Sequence, residues 1–467
     1  MNKKYFFIGA GGIGMANLVR YFLSKGCRVA GYDRVRSELS MRLEEEGATL
    51  IYEDDPELIP AEFLDKEHTE VVYTPAIPSD NRIISLYREN GFEMHKRAWV
   101  LGEITRSLKG ICVAGSHGKT TTSSMIAWIL SQAATGCNAF LGGILRNVDS
   151  NLIITPGSDY AVVEADEYDR SFHQLSPYIA IITSADPDHL DIYGTEDNYR
   201  EAFSIFTSLI QPGGTLLLHT GVEIRPDLKQ GVRMMTYTGN PEEAGNADWK
   251  AENVRYRDGE LLFDLAGPDS YRIPDISLGV PVSINIDNAV AAGAAAYLAG
   301  ASKEEIKRGL ETFLGAKRRF EIILRGEKDG ARAVLIDDYA HSPAEIEASI
   351  RSIRLLYPGK KISVVFQPHL YTRTRDFAPE FAKALSAADD VTLTEIYPAR
   401  ELPIPGVSSK IILDGITSPA VLIERKNLLN KIKITNFEIL MTLGAADIDT
   451  LLPEIARILK RDVEADL

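Results

Sequence analysis

A glycine-rich stretch from Gly115 to Thr122 contains the residues best suited to hold a phosphate group. The apolar run before it predicts a buried strand, and the residues after it predict a helix. Its glycines allow backbone N–H groups to face an anion, to which the helix N-terminus adds partial positive charge. Lys119 can reach terminal phosphates, and Thr120 can place a hydroxyl on Mg²⁺. The short G-x-x-G-K-T spacing alone also fits an ordinary turn, but the flanking strand and helix favour a nucleotide.

Two further polar clusters follow the next two predicted strands. Residues 159–163 lead into four acids within six residues, from Glu164 to Asp169, and residues 178–183 lead into Asp186-Pro187-Asp188-His189. A solvated acidic loop would explain the first cluster alone, and a hydrogen-bonding histidine the second. Open parallel sheets, however, collect ligands at the carboxyl ends of their strands. Because carboxylate, hydroxyl and phosphate oxygens suit Mg²⁺, the three strand ends together predict a nucleotide and metal site.

A second glycine turn lies near the start of the chain. The strand predicted at residues 4–8 runs into Gly9-Ala10-Gly11-Gly12-Ile13-Gly14-Met15, and a helix and a strand ending at Asp33 follow. This pattern is typical of dinucleotide binding by a dehydrogenase. It also fits any other nucleotide diphosphate on the helix end, or glycines that merely permit tight packing. A later strand ends at Thr74, which places that loop at the same sheet edge.

The C-terminal third repeats the arrangement of polar residues after strands. The strand predicted at 331–336 leads into Asp337-Asp338-Tyr339-Ala340-His341, and the strand at 362–366 leads into a segment with Arg373 and Arg375. Paired arginines suit carboxylate or phosphate recognition, although a solvated basic turn would also explain them. Ser342 begins a capping box with proline at the first helical position, so we interpret Ser342 as structural.

Length and composition predict three α/β domains. The chain has 467 residues, which is enough for about three domains of ~150 residues. We place a Rossmann-like domain at 1–107, a central P-loop ATPase domain with a parallel sheet at 108–316, and a second Rossmann-like domain at 317–467. The net charge of −15 argues against nonspecific nucleic-acid binding. No apolar run reaches the ~18 residues of a membrane span, no signal peptide is evident, and Cys27, Cys112 and Cys137 lack metal spacing, so we expect a cytoplasmic protein.

The order of these motifs resembles that of the Mur ligases, the ATP-dependent amide-forming enzymes of bacterial cell-wall synthesis. The resemblance extends over nearly the whole chain. The segments that carry it are residues 9–15, 115–122, 164–167 with Ser171-Phe172, 188–191, 337–341 and 367–376.

The resemblance implies ATP and Mg²⁺ as cofactors, and a UDP-sugar rather than NAD on the first glycine turn. The implied UDP-sugar residues are Gly9, Gly11, Gly12, Ile13, Gly14, Met15, Asp33 and Thr74. The implied ATP residues are Gly115, Ser116, His117, Gly118, Lys119, Thr120, Thr121, Asn285, Asn288, Arg319 and Asp338. The implied metal ligands are Thr120, Glu164 and His189, and the implied catalytic residues are Lys119, His341, Arg373 and Arg375.

Within the family, the resemblance is nearest to the branch that joins L-alanine to the lactyl carboxylate of UDP-N-acetylmuramate through an acyl phosphate. Sister enzymes use a carbamylated lysine as a metal ligand, and this chain has no lysine between His189 and Lys229. A murein-recycling ligase that adds a tripeptide to the same sugar is the nearest alternative. A dehydrogenase and a noncatalytic UDP-sugar sensor are two others. The expected partners are small-molecule substrates, with neither nucleic acid nor membrane, for a monomer or homodimer whose third domain closes over the site.

Overall fold

The computed structural model describes residues 3–74, 77–78, 80–187, 190–243, 245, 247–257, 259–399 and 401–460, without the side chains of 190 and 191. The chain divides into two compact units. The first comprises the chain up to Glu252 together with 264–274 and 286–312, and the second comprises 253–263, 275–285 and 313 onward. No helix among the described residues is long and apolar enough to cross a membrane.

The first unit begins with a five-stranded parallel sheet in the order β3-β2-β1-β4-β5. Its elements are β1 (Lys4–Ile8), α1 (Ile13–Ser24), β2 (Arg28–Tyr32), α2 (Glu38–Glu45), β3 (Thr49–Ile51), β4 (Thr69–Tyr73), α3 (Arg82–Glu89), β5 (Glu93–Lys96) and α4 (Arg97–Ser107). Because β1 has β2 on one side and β4 on the other, the glycine turn after β1 lies where the strand order reverses. Ligands of open α/β sheets bind at that point.

A second sheet, most of which belongs to the first unit, carries the phosphate loop. Its elements are β6 (Lys109–Ala114), α5 (Lys119–Ser131), β7 (Asn138–Leu145), β8 (Ser150–Ile154), β9 (Tyr160–Ala165), β10 (Ile179–Ile182), α6 (Leu190–Tyr193), α7 (Glu196–Ser208), β11 (Thr215–His219), β12 (Arg233–Thr238), β13 (Trp249–Arg257), β14 (Glu260–Ala266), β15 (Arg272–Ser277), α8 (Ile284–Leu298) and α9 (Lys303–Thr312). The parallel strands of this sheet have the order β13-β12-β11-β10-β6-β9-β7. The prediction that three polar clusters meet is confirmed for the strands, since β6 lies between β10 and β9.

The second unit contains a six-stranded sheet in the order β16-β17-β21-β18-β19-β20, with only the β16–β17 pair antiparallel. Its elements are β16 (Glu321–Arg325), β17 (Val334–Asp338), α10 (Pro343–Leu356), β18 (Ile362–Phe366), α11 (Tyr371–Leu385), β19 (Asp390–Leu393), α12 (Lys410–Leu413), β20 (Ala420–Leu422), α13 (Leu428–Ile434), β21 (Ile439–Leu443) and α14 (Leu452–Lys460). The predicted capping box at Ser342 is confirmed, because its side chain accepts from Glu345 N.

Several boundaries differ from the sequence-based expectation. The sequence predicts the last helix of the first domain over 101–108, whereas α4 begins at Arg97. Lys96 precedes α4 without a side-chain cap, so the sequence carries no start signal at that point. The alanine-rich stretch predicts a helix over 289–299, whereas α8 begins at Ile284, with Asp287 favourably placed in its first turn. Arg373 and Arg375 lie in α11 rather than in a turn. Residues two apart on a helix face different directions, so the two guanidinium groups do not form one pair.

Candidate active site

The phosphate loop turns sharply at its two glycines. Gly115 and Gly118 have φ values of 144° and 81°, a region that residues with a Cβ rarely adopt. A Cβ on Gly118 would lie 2.8 Å from Asn288 Oδ1. The loop is also tied to the segment after β10, where His117 N donates to Ser184 Oγ at 2.8 Å and Ser116 Oγ donates to Asp186 O at 2.6 Å. The segment after β10 therefore holds the cradle, a role that the sequence did not indicate for Ser184.

Lys119 forms an ion pair with a buried glutamate. Its Nζ lies 2.7 and 2.8 Å from the two carboxylate oxygens of Glu167, whose side chain is 2% exposed, and 2.6 Å from Gly115 O. Tyr193 fixes the glutamate segment by donating from its hydroxyl to Glu167 O at 2.5 Å. Burial raises the pKa of Tyr193 to about 12, so the hydroxyl stays a donor at neutral pH. Glu167 is part of the predicted acidic cluster, but the sequence does not indicate that it pairs with Lys119.

Thr120 and Glu164 have a geometry that fits the implied Mg²⁺. Thr120 Oγ1 lies 3.1 Å from Glu164 Oε2. Two oxygens bound to one Mg²⁺ at about 2.1 Å and at right angles are separated by about 3.0 Å. Burial raises the pKa of Glu164, while hydrogen bonds from Gly142 N and Thr120 act in the opposite direction. A buried carboxylate that is costly to ionise gains most from a cation, so these residues fit the metal.

The third implied ligand, His189, lies outside the described residues, and its role stays a prediction. Among the residues that the model describes, no three histidine, cysteine, aspartate or glutamate side chains form a metal-binding group. Of the three implied metal ligands, the structure therefore describes only Thr120 and Glu164.

The two asparagines implied near ATP differ in their surroundings. Asn288 Oδ1 accepts a hydrogen bond from Thr122 Oγ1 at 3.0 Å, which links α8 to the phosphate-loop helix within the first unit. Asn285 belongs to the second unit, where its Nδ2 donates to Val280 O at 3.2 Å. Both roles in ATP binding stay predictions.

The first glycine turn is held by Asp33 and Thr74. Gly11 N donates to Asp33 Oδ2 at 2.7 Å, so the predicted acid orders the turn itself. Gly9 has a φ of 89°, and a Cβ there would lie 2.6 Å from Thr74 Cγ2. The expectation that the Thr74 loop shares this sheet edge is thereby confirmed. Helix α1 begins after Gly12 without a side-chain cap, which leaves its first N–H groups available to an anion.

Arg97, which the sequence did not indicate, lies against the same turn. Its guanidinium group occupies the space that a Cβ on Gly14 would fill. Because Gly14 has no side chain, the Arg97 guanidinium group can lie at the start of α1, where a diphosphate is predicted to bind. Because α4 has no recognisable start signal, only the structure reveals this position.

In the second unit, the implied ATP residue Asp338 is half-buried against α10. Its carboxylate accepts a hydrogen bond from Ser349 Oγ, and burial raises its pKa. Arg319 in the preceding linker is exposed, whereas the adjacent Arg318 is anchored. The Arg318 guanidinium donates to Gly444 O at 2.7 Å and to Ala446 O at 3.0 Å. Arg318 is therefore the structural member of the pair, which leaves Arg319 available to a ligand.

The other predicted catalytic residues have distinct environments. His341 Nδ1 lies 3.1 Å from Tyr339 O and 3.3 Å from Glu345 Oε2. Arg373 is half-buried and lies near His369, whose pKa is lowered by burial and by the charge of that arginine. Arg375 is exposed and paired with Asp376 at 2.7 Å. Arg373 is therefore the less exposed of the two arginines, and the anion-binding role of both stays a prediction.

Comparison with known families places these features in order along the chain. Residues 4–109 match the catalytic domain of the Mur ligase family, residues 113–296 match the Mur ligase middle domain, and residues 318–438 match the Mur ligase glutamate ligase domain. The chain belongs to the Mur ligase family, with three domains of mixed α/β structure. The predicted boundaries at 107 and 316 stay predictions.

The relatives with high identity share one activity. UDP-N-acetylmuramate–L-alanine ligase from Parabacteroides distasonis is 52% identical over 98% of this chain and 97% of the relative. The enzyme of the same name from Phocaeicola vulgatus is 53% identical over 98% of both chains. A crystal structure of UDP-N-acetylmuramate–alanine ligase from Thermotoga maritima has a TM-score of 0.77 and 27% identity, covering 99% of this chain and 100% of the other. A murein peptide ligase from Psychrobacter arcticus, at 19% identity and TM-score 0.61, shares the fold.

Proposed function

We propose that this protein joins L-alanine to the lactyl carboxylate of UDP-N-acetylmuramate, with cleavage of ATP to ADP and phosphate, in peptidoglycan synthesis. The observation that carries the proposal is the convergence of Lys119, Thr120 and Glu164 at the point where the central sheet reverses its strand order. Relatives of this name at 52% and 53% identity support the choice of substrates. The cytoplasm is the proposed location.

Activation of the carboxylate is the first proposed step. A lactyl carboxylate oxygen attacks the γ-phosphorus, and the bond from that phosphorus to the bridging oxygen of ADP breaks. The glycine loop and Lys119 bind the phosphates and offset their charge. Mg²⁺ held by Thr120 and Glu164 supplies further neutralisation when bound. Glu167 holds the Lys119 ammonium in place before ATP arrives, so little reorientation is needed.

Amide formation is the second proposed step. The neutral amine of L-alanine attacks the acyl carbon, the carbon–oxygen bond to phosphate breaks, and the amine loses a proton. Arg373 is the proposed partner of a carboxylate in this step. His341 is the candidate base because a neutral imidazole nitrogen can accept a proton, although an orienting role is an equal alternative.

Oxygen-18 in the lactyl carboxylate tests the proposed chemistry directly. Each turnover through an acyl phosphate transfers one labelled oxygen to inorganic phosphate, which mass spectrometry detects. We expect one labelled oxygen per phosphate released, and an amide product that retains the other. Unlabelled phosphate would show that ATP is cleaved without activation of the carboxylate, and would overturn the proposal.

A further inference from the structure

We propose that Asn17, on the sugar-nucleotide helix α1, is a positioning residue for Glu164 and acts through the single peptide group that joins Leu141 to Gly142. This inference rests on the proposed function of Glu164 as a metal ligand. It adds a residue that no sequence motif indicated, from a domain predicted to bind the other nucleotide.

The strand β7 is irregular where this contact occurs. Its pairing with β8 shifts between Phe140 and Leu145, and its pairing with β9 extends only from Asn138 to Phe140. Backbone groups at 141 and 142 are therefore outside both ladders. Backbone groups outside a ladder need other hydrogen-bond partners, and here side chains supply two of them.

The two ends of one peptide group bind two different side chains. Asn17 Nδ2 donates to Leu141 O at 3.0 Å, and Gly142 N donates to Glu164 Oε1 at 2.7 Å. Leu141 C=O and Gly142 N–H belong to the same planar unit, so fixing the carbonyl also fixes the direction of the N–H. The two hydrogen bonds lie at opposite ends of one peptide group and therefore polarise each other.

Only glycine fits at position 142, beside the Glu164 carboxylate. A Cβ on Gly142 would lie 2.6 Å from Glu164 Oε2 and 2.9 Å from its Cδ. The peptide thus approaches the carboxylate more closely than any other residue type would permit. Thr120 and Ser123 approach the same carboxylate from α5, at 3.1 and 3.3 Å. Glu164 is therefore held between the phosphate-loop helix and the peptide that Asn17 fixes.

The Asn17 side chain makes this contact in a buried position, where an unsatisfied polar atom costs free energy. Its side chain is 2% exposed, and among the described residues its Oδ1 has no hydrogen-bond partner. The facing group is a carbonyl oxygen, so the amide nitrogen must point toward it. A buried amide with one unsatisfied oxygen is not favoured by stability alone, which is consistent with a role in placing Glu164.

The chain offers a matched control between the same elements, α1 and the hairpin of β7 and β8. Asn151, on β8, is 1% exposed and donates from Nδ2 to Ile13 O at 2.8 Å. It joins α1 to the hairpin of β7 and β8 with the same chemistry, but its amide donates to Ile13 O rather than to Leu141 O. Replacement by leucine at either position removes one buried amide and one hydrogen bond while nearly preserving volume.

The test measures the gain in affinity for AMP-PNP, a non-hydrolysable ATP analogue, between EDTA and saturating Mg²⁺. Calorimetry on wild type, Asn17→Leu and Asn151→Leu gives this gain without turnover. Outer-shell substitutions typically weaken metal binding by about 10–100-fold. We expect Asn17→Leu to reduce the Mg²⁺-dependent gain about tenfold, with Asn151→Leu within about twofold of wild type.

The outcomes separate the inference from the function on which it rests. Wild type with no Mg²⁺-dependent gain would overturn the metal site, and this inference with it. A normal wild-type gain that is equal in Asn17→Leu would overturn the inference alone. An equal loss in both variants would show that the contact between α1 and the hairpin acts as a whole, and would also overturn it. Thermal melting of both variants verifies that they are folded.

Discussion

At the scale of single residues, the ion pair between Lys119 and Glu167 means that a substitution of Lys119 affects both catalysis and stability. Removing one member of a buried ion pair leaves an uncompensated charge, which typically costs ~3–5 kcal/mol. Glu167 is nearly fully buried, so loss of Lys119 exposes the protein to that cost. A simple loss of activity in Lys119→Met is therefore ambiguous unless stability is restored.

We expect Lys119→Met to lose turnover and roughly 3 kcal/mol of unfolding free energy, because Glu167 is left unpaired. The double variant Lys119→Met/Glu167→Gln should recover most of the stability and none of the turnover. Urea denaturation and phosphate release measure the two effects, and binding of UDP-N-acetylmuramate should change little in either protein. Recovery of turnover in the double variant would show that Lys119 only balances the charge of Glu167.

Asp337 is a buried carboxyl with an unusual effect on pH stability. Burial raises its pKa from 3.8 to about 6, against the hydrogen bond from Thr442 and the charge of Arg318. The folded state therefore binds the proton more tightly than the unfolded state. The stabilising contribution is full below about pH 4 and is lost as pH rises through about 6.

We expect Asp337→Asn to remove this pH dependence. The difference in unfolding free energy between wild type and variant should change by about 2 kcal/mol between pH 4 and pH 7, since one pKa unit corresponds to about 1.4 kcal/mol and the unfolded carboxyl is already partly ionised at pH 4. Wild type should gain relative to the variant as pH falls. Chemical denaturation across this range measures the difference, and parallel curves would contradict the assigned pKa.

At the scale of elements, the capping box of α10 is the clearest link between sequence and structure. Ser342 and Glu345 form the reciprocal bonds that the sequence predicts, directly after His341. Ser302 and Glu305 form the same bonds at α9. Ser302 therefore provides a control with equal chemistry away from the predicted catalytic histidine.

Ser342→Ala and Ser302→Ala should each lose about 1 kcal/mol of stability, the usual cost of an N-cap. Because Ser342 is interpreted as structural, kcat should stay within about twofold of wild type in both. Urea denaturation and steady-state kinetics test this. If only Ser342→Ala lost activity, with equal destabilisation, its hydroxyl would have to contact a substrate.

The irregular part of β7 gives a second expectation at this scale. In Gly142→Ala the new Cβ must displace the Glu164 carboxylate, so the Mg²⁺ concentration for half-maximal activity should rise at least about tenfold. Gly245, around which a Cβ would meet nothing within 4 Å, provides a control substitution to alanine. A Gly142→Ala enzyme with unchanged Mg²⁺ dependence would contradict the placement of the metal at Glu164.

Local patterns predicted most of the parallel strands and the polar residues that follow them, because buried strands and glycine turns are encoded by neighbouring residues. Contacts between distant segments were not predictable in this way. Asn17 and Leu141 are separated by 124 positions, and the link depends on a strand irregularity without a sequence signal. Arg97 was missed for a related reason, since α4 lacks a capping residue. The roles of Asp338, His341 and Arg373 stay predictions.

At the scale of the whole molecule, the three Mur ligase domains appear in one chain in a fixed order. The first unit contains the two glycine turns predicted to bind nucleotides. The second contains three further predicted ATP residues, Asn285, Arg319 and Asp338, and the predicted residues for the carboxylate and the incoming amine. The shared fold does not choose the acceptor, because a murein peptide ligase has the same architecture. Only the acceptor separates L-alanine addition from tripeptide recycling.

Phosphate release with a panel of acceptors therefore tests the central claim most directly. Purified protein is supplied with UDP-N-acetylmuramate, ATP and Mg²⁺, and with either L-alanine or L-Ala-γ-D-Glu-meso-diaminopimelate. We predict rapid phosphate release with L-alanine, formation of UDP-N-acetylmuramoyl-L-alanine by mass spectrometry, and only background release with the tripeptide. Phosphate release with the tripeptide and none with L-alanine would contradict the account.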